Sequence, residues 1–167
     1  MDIRKFVAEE ELYFEAGNPL VTVMDMNGVI TYANSEFKCI SGFSHEELIG
    51  ASHDMLWHSD MPKICQTNLW LMIKNNKSYR GMEKNRCKNG SFFWSDSIST
   101  SFMENGQTAG YITVRSAPSR EQADKAEALY KKIKAGEVEN NRLSVEFYNA
   151  VQTRISKISG SSVVFGY

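Results

Sequence analysis

Three Asn-Gly pairs, Asn27-Gly28, Asn89-Gly90 and Asn105-Gly106, fall between runs rich in β-branched and aromatic residues. Asn-Gly tolerates positive φ at both central positions of a tight hairpin turn, so each pair predicts neighbouring strands that run antiparallel. Residues 20–25 and 29–34 form a first hairpin around Met26-Asn27-Gly28. Residues 78–88, 91–103 and 108–118 form a three-stranded meander. A dinucleotide-binding sheet would need a βαβ unit, which this antiparallel order denies.

Between and around these strands the pattern turns helical. Residues 4–16 carry Phe6, Val7, Leu12, Tyr13 and Phe14 among glutamates, with Gly17 as a stop, and predict a short amphipathic helix. Asn34 sits where a helix would start, ahead of Phe37 and Ile40. Ser44 with Glu47 fits a capping box, predicting a short helix to Ile49 that Gly50 ends. Asp60 and Pro62 signal another start, and Ile64, Leu69, Leu71 and Ile73 carry that helix to Lys74 with Trp70 included. Ser119 with Gln122 is a second capping box, predicting an exit helix to Ala135. Beyond it, Tyr148, Val151, Ile155 and Ile158 repeat at a helix-pairing spacing.

The expected architecture is α+β: a five-stranded antiparallel sheet with short helices on one face and flanking helices at both ends. Its divisions are an N-terminal helical cap over residues 1–17, one central domain over 18–118 and a C-terminal helical linker over 119–167.

A formal net charge of −1 with interleaved acids and bases leaves no electrostatic footprint for nucleic acid. Cys39, Cys65 and Cys87 are far apart and odd in number, which supports neither a disulfide framework nor a Cys-x-x-Cys metal site. They read as buried small apolar residues of a protein in a reducing, cytoplasmic setting. No run approaches the roughly 18 apolar residues of a membrane span, although the parent could be membrane-tethered. With no Gly-rich phosphate loop, no Gly-x-Ser-x-Gly elbow and no His-Glu-x-x-His, the chain is not expected to be an enzyme.

The chemistry-bearing stretch is residues 50–62, Gly-Ala-Ser-His-Asp-Met-Leu-Trp-His-Ser-Asp-Met-Pro. Polar and aromatic groups on irregular backbone suit ligand contact better than core filling. In the middle strand of the meander, Phe92, Trp94, Asp96, Ile98, Thr100 and Phe102 share one face. Phe93, Ser95, Ser97, Ser99 and Ser101 share the other, which could meet solvent or line a ligand cavity.

Residues 25–34, with Ser41-Gly42-Phe43 and Glu46-Glu47-Leu48-Ile49-Gly50, resemble the matching segments of PAS sensory domains. Residues 53–62, Trp70, residues 84–90 and Phe93-Trp94 are similar to the PAS domain of the aerotaxis receptors. Gly110-Tyr111-Ile112 and Ala128-Leu129-Tyr130-Lys131 extend the likeness, so that it covers about residues 18–136. The resemblance implies a PAS fold and a non-covalently bound FAD whose redox state is reported to a chemotaxis signalling module of the same chain. It also implies a homodimer.

On this resemblance the cofactor contacts are Asn34, His53, Trp57, His58, Trp70 and Asn85, with no metal ligand and no catalytic residue. An indole offers a flat stacking surface and one donor, and an amide both donates and accepts. The aerotaxis pattern reads His-Asn-x-x-Arg-His-Pro-Asp-Met-Pro, so Asp54, Trp57 and Ser59 depart from it. Losing the arginine removes a partner for the FAD pyrophosphate, which keeps FMN open. Cys87 lies outside the Asn-Cys-Arg-Phe-Leu-Gln motif of photochemical flavin PAS domains, so a light-driven cysteine adduct is not expected. The leading expectation is a redox or oxygen (energy) sensor that signals through the exit helix. The alternatives are a haem gas sensor with His53 or His58 as axial ligand, and a ligand-free PAS dimerisation module.

Overall fold

The computed structural model describes residues 9–136. Their order is β1 (Leu20–Met24), β2 (Ile30–Ala33), α1 (Ser35–Ser41), α2 (His45–Leu48), a 3-10 turn (His53–Leu56), α3 (Lys63–Lys74), β3 (Tyr79–Arg86), β4 (Phe92–Glu104), β5 (Gln107–Ser116) and α4 (Arg120–Lys134). The strands form one antiparallel sheet in the order β2-β1-β5-β4-β3. The predicted hairpin and meander therefore meet edge to edge, with β1 seated beside β5. The helical seam predicted at Tyr148 to Ile158 lies outside the described residues.

The turns differ in how they achieve the reversal. Asn105 and Gly106 both take positive φ (51° and 78°), as a two-residue Asn-Gly hairpin requires. At Asn27-Gly28 only the glycine does. There Asp25 builds the turn instead, its Oδ1 accepting from the backbone N–H groups of Asn27 and Val29.

Strand alternation decides which residues meet the helices. Leu20, Thr22 and Met24 of β1, the odd residues Phe93 to Ser99 of β4, and Tyr111, Thr113 and Arg115 of β5 are all buried. On this inner face Leu20, Ile30, Phe37, Phe43, Leu48, Leu56 and Phe93 form the main core. The serine face of β4 thus points inward. The even face is split: Trp94 is covered by Ala126 and Tyr130 of α4, whereas Ile98 and Val114 remain exposed.

Both capping boxes form, at Ser44 with Glu47 and at Ser119 with Gln122. In α3 the buried stripe is Cys65, Leu69 and Ile73, at the i, i+4 spacing. Leu71, expected inside, is exposed because it lies off that stripe. Cys39 is likewise exposed, whereas Cys65 and Cys87 are buried as expected.

Over residues 9–16 the predicted N-terminal helix is not formed, and the rest of that prediction, residues 1–8, lies outside the described residues. β5 pairs with β4 only from Asp96 onward, which leaves the backbone of Phe92 open on that side. Phe92 N–H donates to Glu10 O at 2.9 Å and Leu12 N–H to Phe92 O at 2.7 Å. Unpaired strand backbone is a stronger template than weak helical periodicity. The extension also lets Leu12 and Phe14 pack on the core, with Phe14 edge-on to Phe93 at 5.9 Å.

Candidate functional site

Register brings polar side chains into rows across the inner face. Glu83 lies opposite Ser95, and Ser97 opposite Arg115. Ser99 lies opposite Thr113, which in turn faces Thr22. All seven are buried. Polar groups removed from water need partners, and here they bond to one another.

The hydrogen bonds run in one direction and converge on a carboxylate. Asn85 Nδ2 donates to Ser95 Oγ at 2.9 Å. Ser97 donates to Glu83 Oε2 at 2.9 Å, so the 2.9 Å bond between Ser95 and Ser97 has Ser95 as donor. From the other side Arg115 Nε donates to the same Oε2 at 3.1 Å. Arg115 Nη1 donates to Thr22 Oγ1 at 2.9 Å, and its Nη2 lies 3.1 Å from His53 Nε2.

A guanidinium only donates, so His53 Nε2 is the acceptor and the neutral ring carries its proton on Nδ1. Burial and the Arg115 charge push the His53 pKa down to about 3, which fixes the imidazole as neutral.

Five buried side-chain atoms have no partner among the described residues: His53 Nδ1, Trp57 Nε1, Glu83 Oε1, Asn85 Oδ1 and Tyr111 Oη. Asn85 Oδ1 is securely assigned as the oxygen, because Nδ2 also reaches the Glu83 carbonyl at 3.3 Å. The set comprises two donors, two acceptors and one hydroxyl able to do either. Trp57, Trp70 and Tyr111 pack around one cluster with Met24 and Leu69, and the Trp70 and Tyr111 rings meet edge-on at 5.9 Å. Polar atoms left bare beside flat aromatic surfaces match a planar heteroaromatic ligand whose edge alternates donors and acceptors. Asn85, Glu83, His53 and Trp57 would hold such an edge, and Trp70 would flank it.

The PAS fold family matches residues 30–115, just over half of the chain. The chain belongs to the PAS fold family. Over 136 residues it is 31% identical to the aerotaxis receptor of Escherichia coli (strain K12), a match covering 81% of this chain and 27% of the receptor. The chain therefore spans about a quarter of that relative's length. Its fold superposes on a light-oxygen-voltage domain whose mechanism was probed with a flavin analogue, with TM-score 0.59 at 18% identity over 72% of this chain and 90% of that one. A PAS domain from Colwellia psychrerythraea gives TM-score 0.55 at 21% identity over 61% and 87%. This chain is a PAS-fold domain related to the aerotaxis receptor.

Within the PAS domain, His53, Trp57, Trp70 and Asn85 lie at or beside the inner wall. Asn34 and His58 do not. Asn34 caps α1: its Oδ1 accepts from Val21 and Phe37 N–H at 3.0 and 3.1 Å, and its Nδ2 donates to Pro19 O at 2.9 Å. Helix-cap chemistry at the β1–α1 seam has engaged both polar atoms.

His58 sits on the other side of β3. Its Nδ1 accepts from Asp60 N–H at 3.1 Å, its Nε2 lies 3.5 Å from Glu9, and its ring meets Phe92 edge-on. Burial and then the Lys84 charge depress its pKa. Glu9, His58 and Asp60 do gather ligand-type atoms within 4.8 Å of one another. Lys84 Nζ, 2.6 Å from Asp60 Oδ2, already supplies the cation there.

Glu83, Arg115, Tyr111, Thr22 and Thr113 of the PAS domain were missed by sequence reasoning. Glu83 could have been found by stepping two residues back from Asn85 along β3. Arg115 needed the β4–β5 register.

Proposed function

We propose that this PAS domain binds a flavin non-covalently against the inner face of its sheet and senses redox state or oxygen. The observation that carries this reading is the set of five partnerless buried polar atoms. Such atoms are costly unless a ligand or ordered water completes them. When bound, a flavin supplies a ring that gains or loses electrons; the protein's part is to orient it and exclude water. Asn85 and His53 offer one acceptor and one donor to the ring edge, and Trp57 and Trp70 offer faces to it. Resemblance to the aerotaxis receptors favours FAD over FMN.

The exit helix is the proposed output. Tyr130 Oη donates to Met82 O at 2.6 Å, and Lys134 Nζ donates to Ser59 O at 2.9 Å. Both acceptors belong to segments that also carry wall residues, β3 with Asn85 and the 53–62 loop with Trp57. A shift in either would bias a two-state contact between α4 and a signalling module of the same chain. Homodimerisation and a cytoplasmic setting belong to the same proposal.

His53 Nε2, the ring atom a haem iron would need if bound that way, is occupied by Arg115, so haem on His53 is not favoured. The test is the visible spectrum of the purified protein, with mass identification of any released cofactor. Flavin bands are expected. Protein that stays colourless after incubation with FAD, FMN and haem overturns the reading in favour of a ligand-free module.

A further inference from the structure

Glu83 is an ionic side chain set into the inner wall and 1% exposed. Its Oε2 is committed to Arg115 and Ser97, while Oε1 is bare. Arg115 from β5 is the cation that compensates it. His53 from the 3-10 turn is neutral and reaches it only through Arg115. Cys65 from α3, Tyr79 on β3 and Tyr130 from α4 also feel its negative field. Burial pushes the Cys65 thiol up to about 11 and both phenols well above their usual range, with the Glu83 charge a minor addition, so all three stay protonated. A further negative charge beside this wall would meet a carboxylate and a cation that is already paired. In a low-dielectric site that repulsion is strong.

We propose that Glu83 is the proton-holding residue of the pocket: when an electron is added to the bound ligand, Glu83 takes up a proton at Oε1. The inference rests on the flavin reading above. The electron comes from an external one-electron donor, dithionite in the test, and the proton from solvent. An O–H bond forms at Oε1, no covalent bond breaks, and the net charge of the pocket is unchanged. Neutral Glu83 then holds Arg115 less tightly, and Arg115 also bonds Thr22 on β1 and His53 on the 3-10 turn. Electron uptake is thereby linked to the seam between sheet and loop.

The test is the reduced-minus-oxidised infrared difference spectrum of the full chain loaded with FAD, with the pH dependence of its midpoint potential around neutrality. Wild type should show the carbonyl stretch of a newly protonated carboxylic acid and take up one proton with the first electron. Glu83→Gln should lose that band and most of the pH dependence; Glu83→Asp should keep a band at a shifted position. A merely structural role would leave the proton count unchanged. Loaded wild type without the acid band overturns the inference, as does a band that persists in Glu83→Gln. Wild type that takes up no flavin overturns the reading beneath it, and this inference with it.

Discussion

Arg115 and Glu83, 32 residues apart in sequence, form an ion pair at 3.1 Å with side chains 0% and 1% exposed. The register that sets Ser97 beside Arg115 and Ser95 beside Glu83 brings the two strands' charges within reach across β4. Removing one partner leaves a buried charge without compensation, whereas removing both does not. Arg115→Met is expected to cost about 3–5 kcal/mol of folding stability. The double variant Glu83→Met/Arg115→Met should recover most of that loss. Urea denaturation of the single and double variants checks this, and additive losses would contradict it.

His53 gives stability a pH dependence of defined sign. Its folded pKa, about 3, lies below its unfolded value near 6.5. The unfolded chain binds more protons between these limits, so stability rises with pH there and is lost as pH falls. The slope is about 1.4 kcal/mol per pH unit for one fully coupled proton. His58, also depressed, contributes with the same sign. His53→Gln should therefore flatten, without abolishing, the loss of stability between about pH 6.5 and 5. An unchanged slope would show that His53 titrates normally when folded.

Asn34→Ala separates capping from cofactor contact. It removes the acceptor for the Val21 and Phe37 N–H groups and is expected to cost about 1–2 kcal/mol. Flavin content per folded molecule should stay at the wild-type level. A drop in bound flavin without loss of stability would return Asn34 to the binding site.

Asn85→Ala removes the bare Oδ1 and the donor to Ser95. Flavin affinity is expected to fall about tenfold, equivalent to about 1.4 kcal/mol, with the circular dichroism of the fold retained. Trp70→Ala should also lower flavin content. Full flavin retention in both variants would refute their assigned roles.

Tyr130→Phe deletes the 2.6 Å bond from α4 to the Met82 carbonyl. Loss of a buried hydrogen bond is expected to cost about 1 kcal/mol. Amide exchange should accelerate across Arg120–Lys134 while β4 and β5 keep their protection. Acceleration spread evenly over the sheet would place the bond in the global fold instead of the exit helix.

The amino-acid pattern alone set the antiparallel strands, both capping boxes and the exit helix. Each of these is local: turn chemistry, hydroxyl and carboxylate spacing, and period-two or period-four alternation act within a few residues. Tertiary structure decided the rest. Residues 9–16 left their helical periodicity because Phe92 presented open strand backbone to them. Asn34 caps α1 as its position predicts and also ties to Val21 of β1 and to Pro19 just before it, while His58 is buried against Phe92 beside Glu9 and Asp60. The serines of β4 turned inward only once β3 and β5 flanked it, and only that register could set Glu83 against Arg115. Long-range pairing, which single-strand alternation does not encode, placed the charged centre of the wall.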